Sequence, residues 1–209
     1  MVKSHAPDGF GLLALARAAC AVAVVMALLL PSPPVHATAP DWSVGVYAGQ
    51  YHDTEPAGFL TGQSQFQNHY LVALTASTTL WRSQDWPVAV ELDGMVGQQW
   101  GQASLTEVAV APVLRVHGWP GGKPWPFDLR LAPFGISYTS SVSPLERGPT
   151  GQGSQTLNFL MIEAAVSFDK DRHHEWFARL HHRCTIYDVI NNYGANGEDF
   201  FALGWRRRF

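Results

Sequence analysis

The last segment of the chain, FFALGWRRRF at residues 200–209, constrains the fold most, because apolar side chains recur at every second position up to a final phenylalanine. Counting back from Phe209 in steps of two gives mainly apolar residues: Arg207, Trp205, Leu203 and Phe201. The other parity gives small and basic residues: Arg208, Arg206, Gly204 and Ala202. Strand side chains point alternately to opposite faces, so one face suits lipid and the other a polar interior. The pattern predicts the closing strand of an outer-membrane β-barrel, with an edge strand of a soluble sheet as the alternative.

The N-terminal segment has the features of an export signal. Lys3 supplies positive charge, Ala18–Leu30 is an unbroken apolar run, and Ala37–Ala39 offers small residues for cleavage. The apolar run is shorter than the about 20 residues that a membrane-spanning helix needs, and no comparable run recurs downstream. Only a closed barrel can otherwise span a bilayer. We therefore predict a secretory signal peptide at residues 1–39 and a single outer-membrane β-barrel domain at residues 40–209.

Composition limits the classes of protein that fit. Removing the signal leaves about 170 residues, which is enough for one domain and for eight membrane strands of about 10 residues with their connections. The net charge of −3 gives no indication of a nucleic-acid partner. Cys20 lies in the predicted signal, so the exported protein keeps only Cys184 and can form no intramolecular disulfide bond.

Eight segments alternate with period two, and we expect them to form an all-β fold, an eight-stranded antiparallel transmembrane outer-membrane β-barrel. The segments are 42–51, 69–81, 87–97, 104–117, 126–138, 157–168, 176–186 and 199–209. The second, fourth and sixth connections are short, whereas the others include longer stretches rich in glycine and polar residues. In such barrels short periplasmic turns alternate with longer external loops, so both ends of the barrel domain are expected in the periplasm.

Charged residues share one parity within these strands, opposite the apolar residues. The members of this set include Glu91, Asp93, Glu107, Arg115, Asp128, Arg130, Glu163, Arg206 and Arg208. A small barrel fills its interior with side chains, so these charges are expected to pair in the lumen and leave no open pore. A soluble barrel of the lipocalin type would instead turn its apolar face inward.

The seventh predicted strand places chemistry on the lipid side. Arg179, His181 and Arg183 have lumen parity, which leaves His182 and Cys184 facing outward near the external end. Polar groups at membrane depth are expensive and commonly functional. The alternative is that this end of the strand already lies beyond the bilayer, where a histidine costs little.

The motif His182-Arg183-Cys184, near the end of the penultimate strand, resembles the His-x-Ser motif of PagL-type lipid A 3-O-deacylases. The segments at 180–183, 192–197 and 203–206 also resemble outer-membrane relatives of that family. The resemblance covers about the last 35 residues well and the rest only in size and strand count. It implies that His182 is the general base and that Cys184 stands in place of the serine nucleophile.

The same resemblance implies an acidic residue that orients the histidine. The spacing favours Glu198, with Asp188 and Asp199 as the alternatives. The family's asparagine after the nucleophile, associated with oxyanion binding, is replaced here by Thr185. Glu198 therefore joins His182 and Cys184 as the third expected catalytic residue.

The resemblance favours an ester hydrolase that removes a 3-linked acyl chain from lipid A at the outer leaflet. The alternative is a non-catalytic small barrel with a structural or surface-interaction role. The expected partners are lipid A within lipopolysaccharide, the outer membrane and the barrel-insertion machinery, and the oligomeric state is left open between a monomer and a homodimer. No cofactor is expected. Adjacent histidines on a strand point to opposite faces, so no metal site is expected either.

Overall fold

In the part of the chain that the structure describes, nine β-strands carry the alternating segments, and one short 3₁₀ helix lies among them. The strands are β1 (Trp42–His52), β2 (Phe66–Arg82), β3 (Val88–Trp100), β4 (Leu105–His117), β5 (Phe127–Ala132), β6 (Ile136–Thr139), β7 (Thr156–Ser167), β8 (His174–Cys184) and β9 (Asp199–Arg208), and the 3₁₀ helix is Pro144–Glu146. This computed structural model describes residues 41–53, 61–119, 126–169, 171–185 and 197–209, so the expected signal peptide lies outside the described residues. Among the described residues, no helix is long and apolar enough to cross a membrane.

The strands close into an antiparallel barrel. The strands from β1 to β4 and from β7 to β9 pair antiparallel with their sequence neighbours, and β1 also pairs with β9 to complete the ring. β5 and β6 both lie between β4 and β7, so they share one position and the barrel has eight. The predicted eight-stranded antiparallel barrel is confirmed.

The fifth position is broken, which the sequence pattern did not predict. The segment 126–138 was expected to be one strand, but β5 ends at Ala132 and β6 begins at Ile136. Outward side chains have odd numbers in β5, as at Leu131, and even numbers in β6, as at Tyr138. Pro133 lies in the break, where its missing N–H removes no ladder hydrogen bond.

Connection lengths define the two ends of the barrel. The strand ends that flank the connections after β2, β4 and β7 share one end of the barrel, and those that flank the connections after β1, β3, β6 and β8 share the other. Short turns characterise the periplasmic side, so the first end is the periplasmic end and the second the extracellular end. The expectation of a longer third connection is wrong, because β3 extends to Trp100 and only residues 101–104 separate it from β4.

The outer wall is apolar. Large exposed hydrophobic side chains cover it, among them Val44, Val46, Leu74, Val96, Val108, Val110 and Leu203. Exposed tryptophans lie near the periplasmic end, namely Trp42, Trp86, Trp119 and Trp176. An apolar band with an aromatic girdle is the surface that a lipid-embedded barrel presents.

The interior is rich in buried polar side chains, and its periplasmic half is organised around arginines. Arg130 is fully buried and binds Glu91, Asp93 and Glu163, with nitrogen–oxygen distances of 2.8, 2.9 and 2.9 Å. Its neighbours extend the network through further arginine–carboxylate pairs, which join Arg115, Arg179 and Arg206 to Asp128, Glu163 and Glu175. The expected pairing of charges in one lumen is confirmed.

The Arg130→Ala variant should be strongly destabilised, because it leaves three carboxylates buried without their central cation. We expect a loss of about 3–5 kcal/mol in the free energy of unfolding, as for other broken buried pairs. The measurement is urea unfolding in lipid or detergent, followed by the folded band on unheated gels.

The matched control is Arg82→Ala, which removes the exposed pair between Arg82 and Asp41. Exposed pairs contribute about 0–1 kcal/mol, so this variant should unfold near the wild-type midpoint. Equal midpoints for the two variants would contradict the central role of Arg130.

Candidate active site on the outer wall

The side chains of the His182-Arg183-Cys184 motif in β8 point to the faces that the sequence alternation predicted. Arg179, His181 and Arg183 are completely buried in the lumen, whereas His182 and Cys184 lie on the outer wall and are partly exposed. Arg179 binds Glu163 inside at 2.6 Å, which holds the register of the strand. A one-residue slip would exchange all five positions.

His182 is held by a carboxylate from the next strand. It lies directly across from Asp199 in the β8–β9 ladder, and its Nδ1 is 2.6 Å from Asp199 Oδ1. Cys184 lies two residues further along the same outer face of β8, and its side chain interacts with the imidazole of His182. The carboxylate occupies Nδ1, so Nε2 is the nitrogen available to take a proton from the thiol. Asp199, His182 and Cys184 thus form an acid–histidine–thiol series.

The preference for Glu198 as the acidic residue needs correction. Glu198 is fully buried on the lumen side, 3.8 Å from His69 Nε2 and 3.8 Å from Arg183 Nη1. Adjacent residues of an extended chain point to opposite faces, so Glu198 cannot share the outer face with Asp199. The other alternative, Asp188, lies outside the described residues.

An amide that the sequence reasoning missed completes the site. Asn158 of β7 lies across from Cys184, and its Nδ2 donates to Cys184 Sγ at 3.6 Å. Thr185, at the position where the resemblance implies an asparagine, is instead buried next to the end of β8. The signal for Asn158 was its parity, because its amide has the same outward parity as the apolar residues Leu160 and Ile162 that follow it.

The strand end that carries the site is anchored from inside the barrel. Arg183, between His182 and Cys184, donates to Glu146 at 2.7 Å and to the carbonyl oxygen of Gln155 at 3.2 Å. Burial raises the pKa of Glu146 well above its ordinary value, against the lowering effect of Arg183. The connection 140–155 therefore contributes a buried carboxylate and a carbonyl oxygen that hold Arg183 behind the motif.

Gly197 allows the chain to approach the site from the other side. A Cβ built there would lie 1.7 Å from the carbonyl oxygen of Arg183 and 3.0 Å from His182 Cε1. The backbone is also tied at this point, because Arg183 N donates to the carbonyl oxygen of Glu198 at 2.9 Å. Only glycine fits this approach without moving the start of β9.

Gly197→Ala should disorder the site, whereas the periplasmic half of the barrel should stay folded. We expect Asp199 to shift away from His182 and Cys184 to react with iodoacetamide at a different rate, with the folded gel band retained. The control is Gly94→Ala, whose added Cβ meets nothing closer than 3.8 Å. If both variants leave the thiol reactivity at the wild-type value, the close approach has no role in building the site.

The surface below the site is apolar. Leu160 lies across from His182, and Ile162, Leu180 and Phe201 share the next rung toward the periplasm. A hydrocarbon chain running down the wall from Cys184 would contact these side chains. Within the described strands and connections, no group of three or more His, Cys, Asp and Glu residues is placed to hold a metal ion.

Comparison with solved structures identifies the class to which this fold belongs. The outer membrane enzyme PagL is similar with a TM-score of 0.56 and 15% identity, covering 79% of this chain and 98% of PagL. Neisserial surface protein A has a TM-score of 0.46 and 10% identity over 82% of this chain and all of that one. Ail of Yersinia pestis has a TM-score of 0.38 and 13% identity, covering 81% of this chain and 99% of that one. The chain is an eight-stranded barrel of the bacterial outer-membrane kind.

The sequence comparisons define no family. No protein-family model matches the chain, and no curated protein matches its sequence. The likeness to PagL therefore establishes the fold.

Proposed function

We propose that the protein is an ester hydrolase that removes the 3-linked acyl chain from lipid A at the outer leaflet. The observation that carries the proposal is the series Asp199–His182–Cys184, aligned on the outer wall with 2.6 Å between the carboxylate and the imidazole. A base and a nucleophile within reach of each other, with a third group orienting the base, are the parts that acyl transfer needs.

The proposed reaction begins with proton transfer. His182 Nε2 takes the proton of Cys184, and the thiolate attacks the carbonyl carbon of the ester, forming a carbon–sulfur bond. The tetrahedral intermediate collapses by breaking the bond to the sugar oxygen, which receives the proton from His182. Water then attacks the thioester with His182 as the base, releasing the fatty acid and restoring the thiol. Asp199 keeps the imidazole in the tautomer that both steps require.

The position of the site supports a lipid ester as the substrate. The reacting groups lie on the lipid side of the barrel near its extracellular end, so the molecules beside them are lipids of the outer leaflet. The acyl chain would run along Leu160 and Ile162. The choice of lipid A is supported by the motif's resemblance to the PagL-type deacylases, together with the shared fold.

A cysteine suits the nucleophile position chemically. A thiolate is more nucleophilic than a hydroxyl and is readily formed beside an imidazole. The proposal therefore predicts that Cys184→Ala abolishes deacylation, His182→Ala reduces it severely, and Cys184→Ser retains a measurable part. The measurement is mass spectrometry of lipid A from cells expressing each variant at matched levels in the outer membrane.

The possible outcomes separate the enzyme from a non-catalytic barrel. Loss of one acyl chain with the wild type but not with Cys184→Ala would support the proposal. Deacylation that survives Cys184→Ala would show that the nucleophile assignment is wrong. An unchanged acyl pattern with the wild type and with Cys184→Ser would favour a structural or surface-interaction barrel.

Asp199 and Glu198 provide a matched pair of variants for the acidic role. Asp199→Asn should lower the deacylation rate by about 10²- to 10⁴-fold, because the amide no longer supports the productive imidazole tautomer. Glu198→Gln alters a lumen carboxylate and should leave the rate close to the wild-type value. If both variants fold equally well and Glu198→Gln loses more of the deacylation rate than Asp199→Asn, Glu198 would be the residue that orients His182.

A further inference from the structure

Asn158 is a buried amide on an otherwise apolar wall. It has outward parity, yet it is only 1% exposed, because neighbouring side chains cover it. An amide in such surroundings is expensive unless its polar atoms have partners. Its two polar atoms have separate partners, Gly135 for the oxygen and Cys184 for the nitrogen.

These contacts determine which way the amide points. Gly135 N donates to Asn158 Oδ1 at 3.0 Å, so this side of the amide must be the oxygen. The NH₂ group therefore faces Cys184 Sγ, at 3.6 Å. Exchanging the oxygen and nitrogen would set two donors against each other at Gly135.

The break in the fifth position makes Gly135 available for this contact. Gly135 lies between β5 and β6, where its carbonyl oxygen still accepts from Phe159 N at 3.2 Å, whereas its N–H binds the side chain of Asn158. The site is tight: a Cβ on Gly135 would lie 2.6 Å from the Ala111 side chain and 2.7 Å from the carbonyl oxygen of Val110. The irregular backbone thus holds the amide in one orientation beside the thiol.

We propose that Asn158 is a further catalytic residue, the donor that stabilises the oxyanion formed when the Cys184 thiolate attacks an acyl carbonyl. This inference rests on the proposed ester chemistry and extends it. As the carbon–sulfur bond forms, the carbonyl π-electrons move to oxygen, next to the sulfur that the Asn158 NH₂ group already contacts. When the intermediate collapses, those electrons re-form the carbonyl and the sugar oxygen leaves with the proton from His182. Asn158 itself exchanges no proton.

The closing experiment compares two reactions of the same thiol. Acylation by a p-nitrophenyl fatty-acid ester in detergent micelles passes through an oxyanion, whereas alkylation by iodoacetamide displaces iodide and forms none. Asn158→Leu should therefore lower the acylation rate by about 10²- to 10³-fold, the loss found when an oxyanion donor is removed. Its alkylation rate and the pH dependence of that rate should match the wild type. Mass spectrometry of the Cys184 peptide reports both adducts.

Two further variants keep the test decisive. Asn158→Asp keeps an oxygen for Gly135 but has no hydrogen to donate, so it covers the case in which Asn158→Leu fails to fold. Its added charge affects both reactions through the thiol, and the ratio of acylation to alkylation should still fall. Thr156→Ala, two residues away on the same face of β7, is the control and should leave both rates unchanged.

Each outcome bears on the proposal. A parallel loss of acylation and alkylation would assign Asn158 to thiolate stabilisation and overturn the oxyanion role, as would an unchanged ratio in both Asn158 variants. The result is also separable from the lipid A proposal. If acylation depends on Asn158 but the wild type does not deacylate lipid A, the oxyanion role stands and lipid A is rejected as the substrate. If Asn158→Leu deacylates lipid A at the wild-type rate, lipid A stands as the substrate and the oxyanion role is rejected.

Discussion

The buried arginine–carboxylate network is the interaction on which the rest of the barrel depends. Placing a charge in a low-dielectric interior costs several kcal/mol unless a partner compensates. Arg130 of β5 binds acids from both β3 and β7, so one side chain ties three strands of the ring together. Sliding any of these strands by one residue would move its charges into hydrocarbon, which is also strongly unfavourable. The network therefore fixes which residues face the lumen and which face lipid.

The candidate site follows from this register. Because Arg179 and Arg183 are held inside, His182 and Cys184 must face outward. On β9 the pairing of Arg206 with lumen carboxylates sends Asp199 to the same outer face, directly across from His182. Polar groups that would be costly on an isolated lipid-facing strand are thus gathered from adjacent strands, where they satisfy one another.

The parity of side chains was enough to predict the strands, the charged lumen and the outward position of His182 and Cys184. The alternation in β9 could also have excluded Glu198 as the partner of His182, because Glu198 shares its parity with the lumen residue Arg206. That argument holds only if the chain is already extended at Glu198, and the sequence does not show where the extended segment begins. Asn158 lies 26 residues from Cys184 in sequence, so only the β7–β8 register brings them together. The break in β5 and β6 depends on packing around Gly135, which periodicity does not describe.

The location of the site changes what the protein has to supply for catalysis. A soluble hydrolase excludes water by closing over its substrate, and that exclusion strengthens the interactions with developing charge. On the outer wall of this barrel the packed strands exclude water from one side of the proposed site, and the acyl chain of the proposed substrate would cover part of the other. The remaining requirement is rigidity, which Arg183 provides by tying the backbone between His182 and Cys184 to Glu146 inside the lumen. Chemistry proposed for the outer surface is therefore held in place by an ion pair on the inner one.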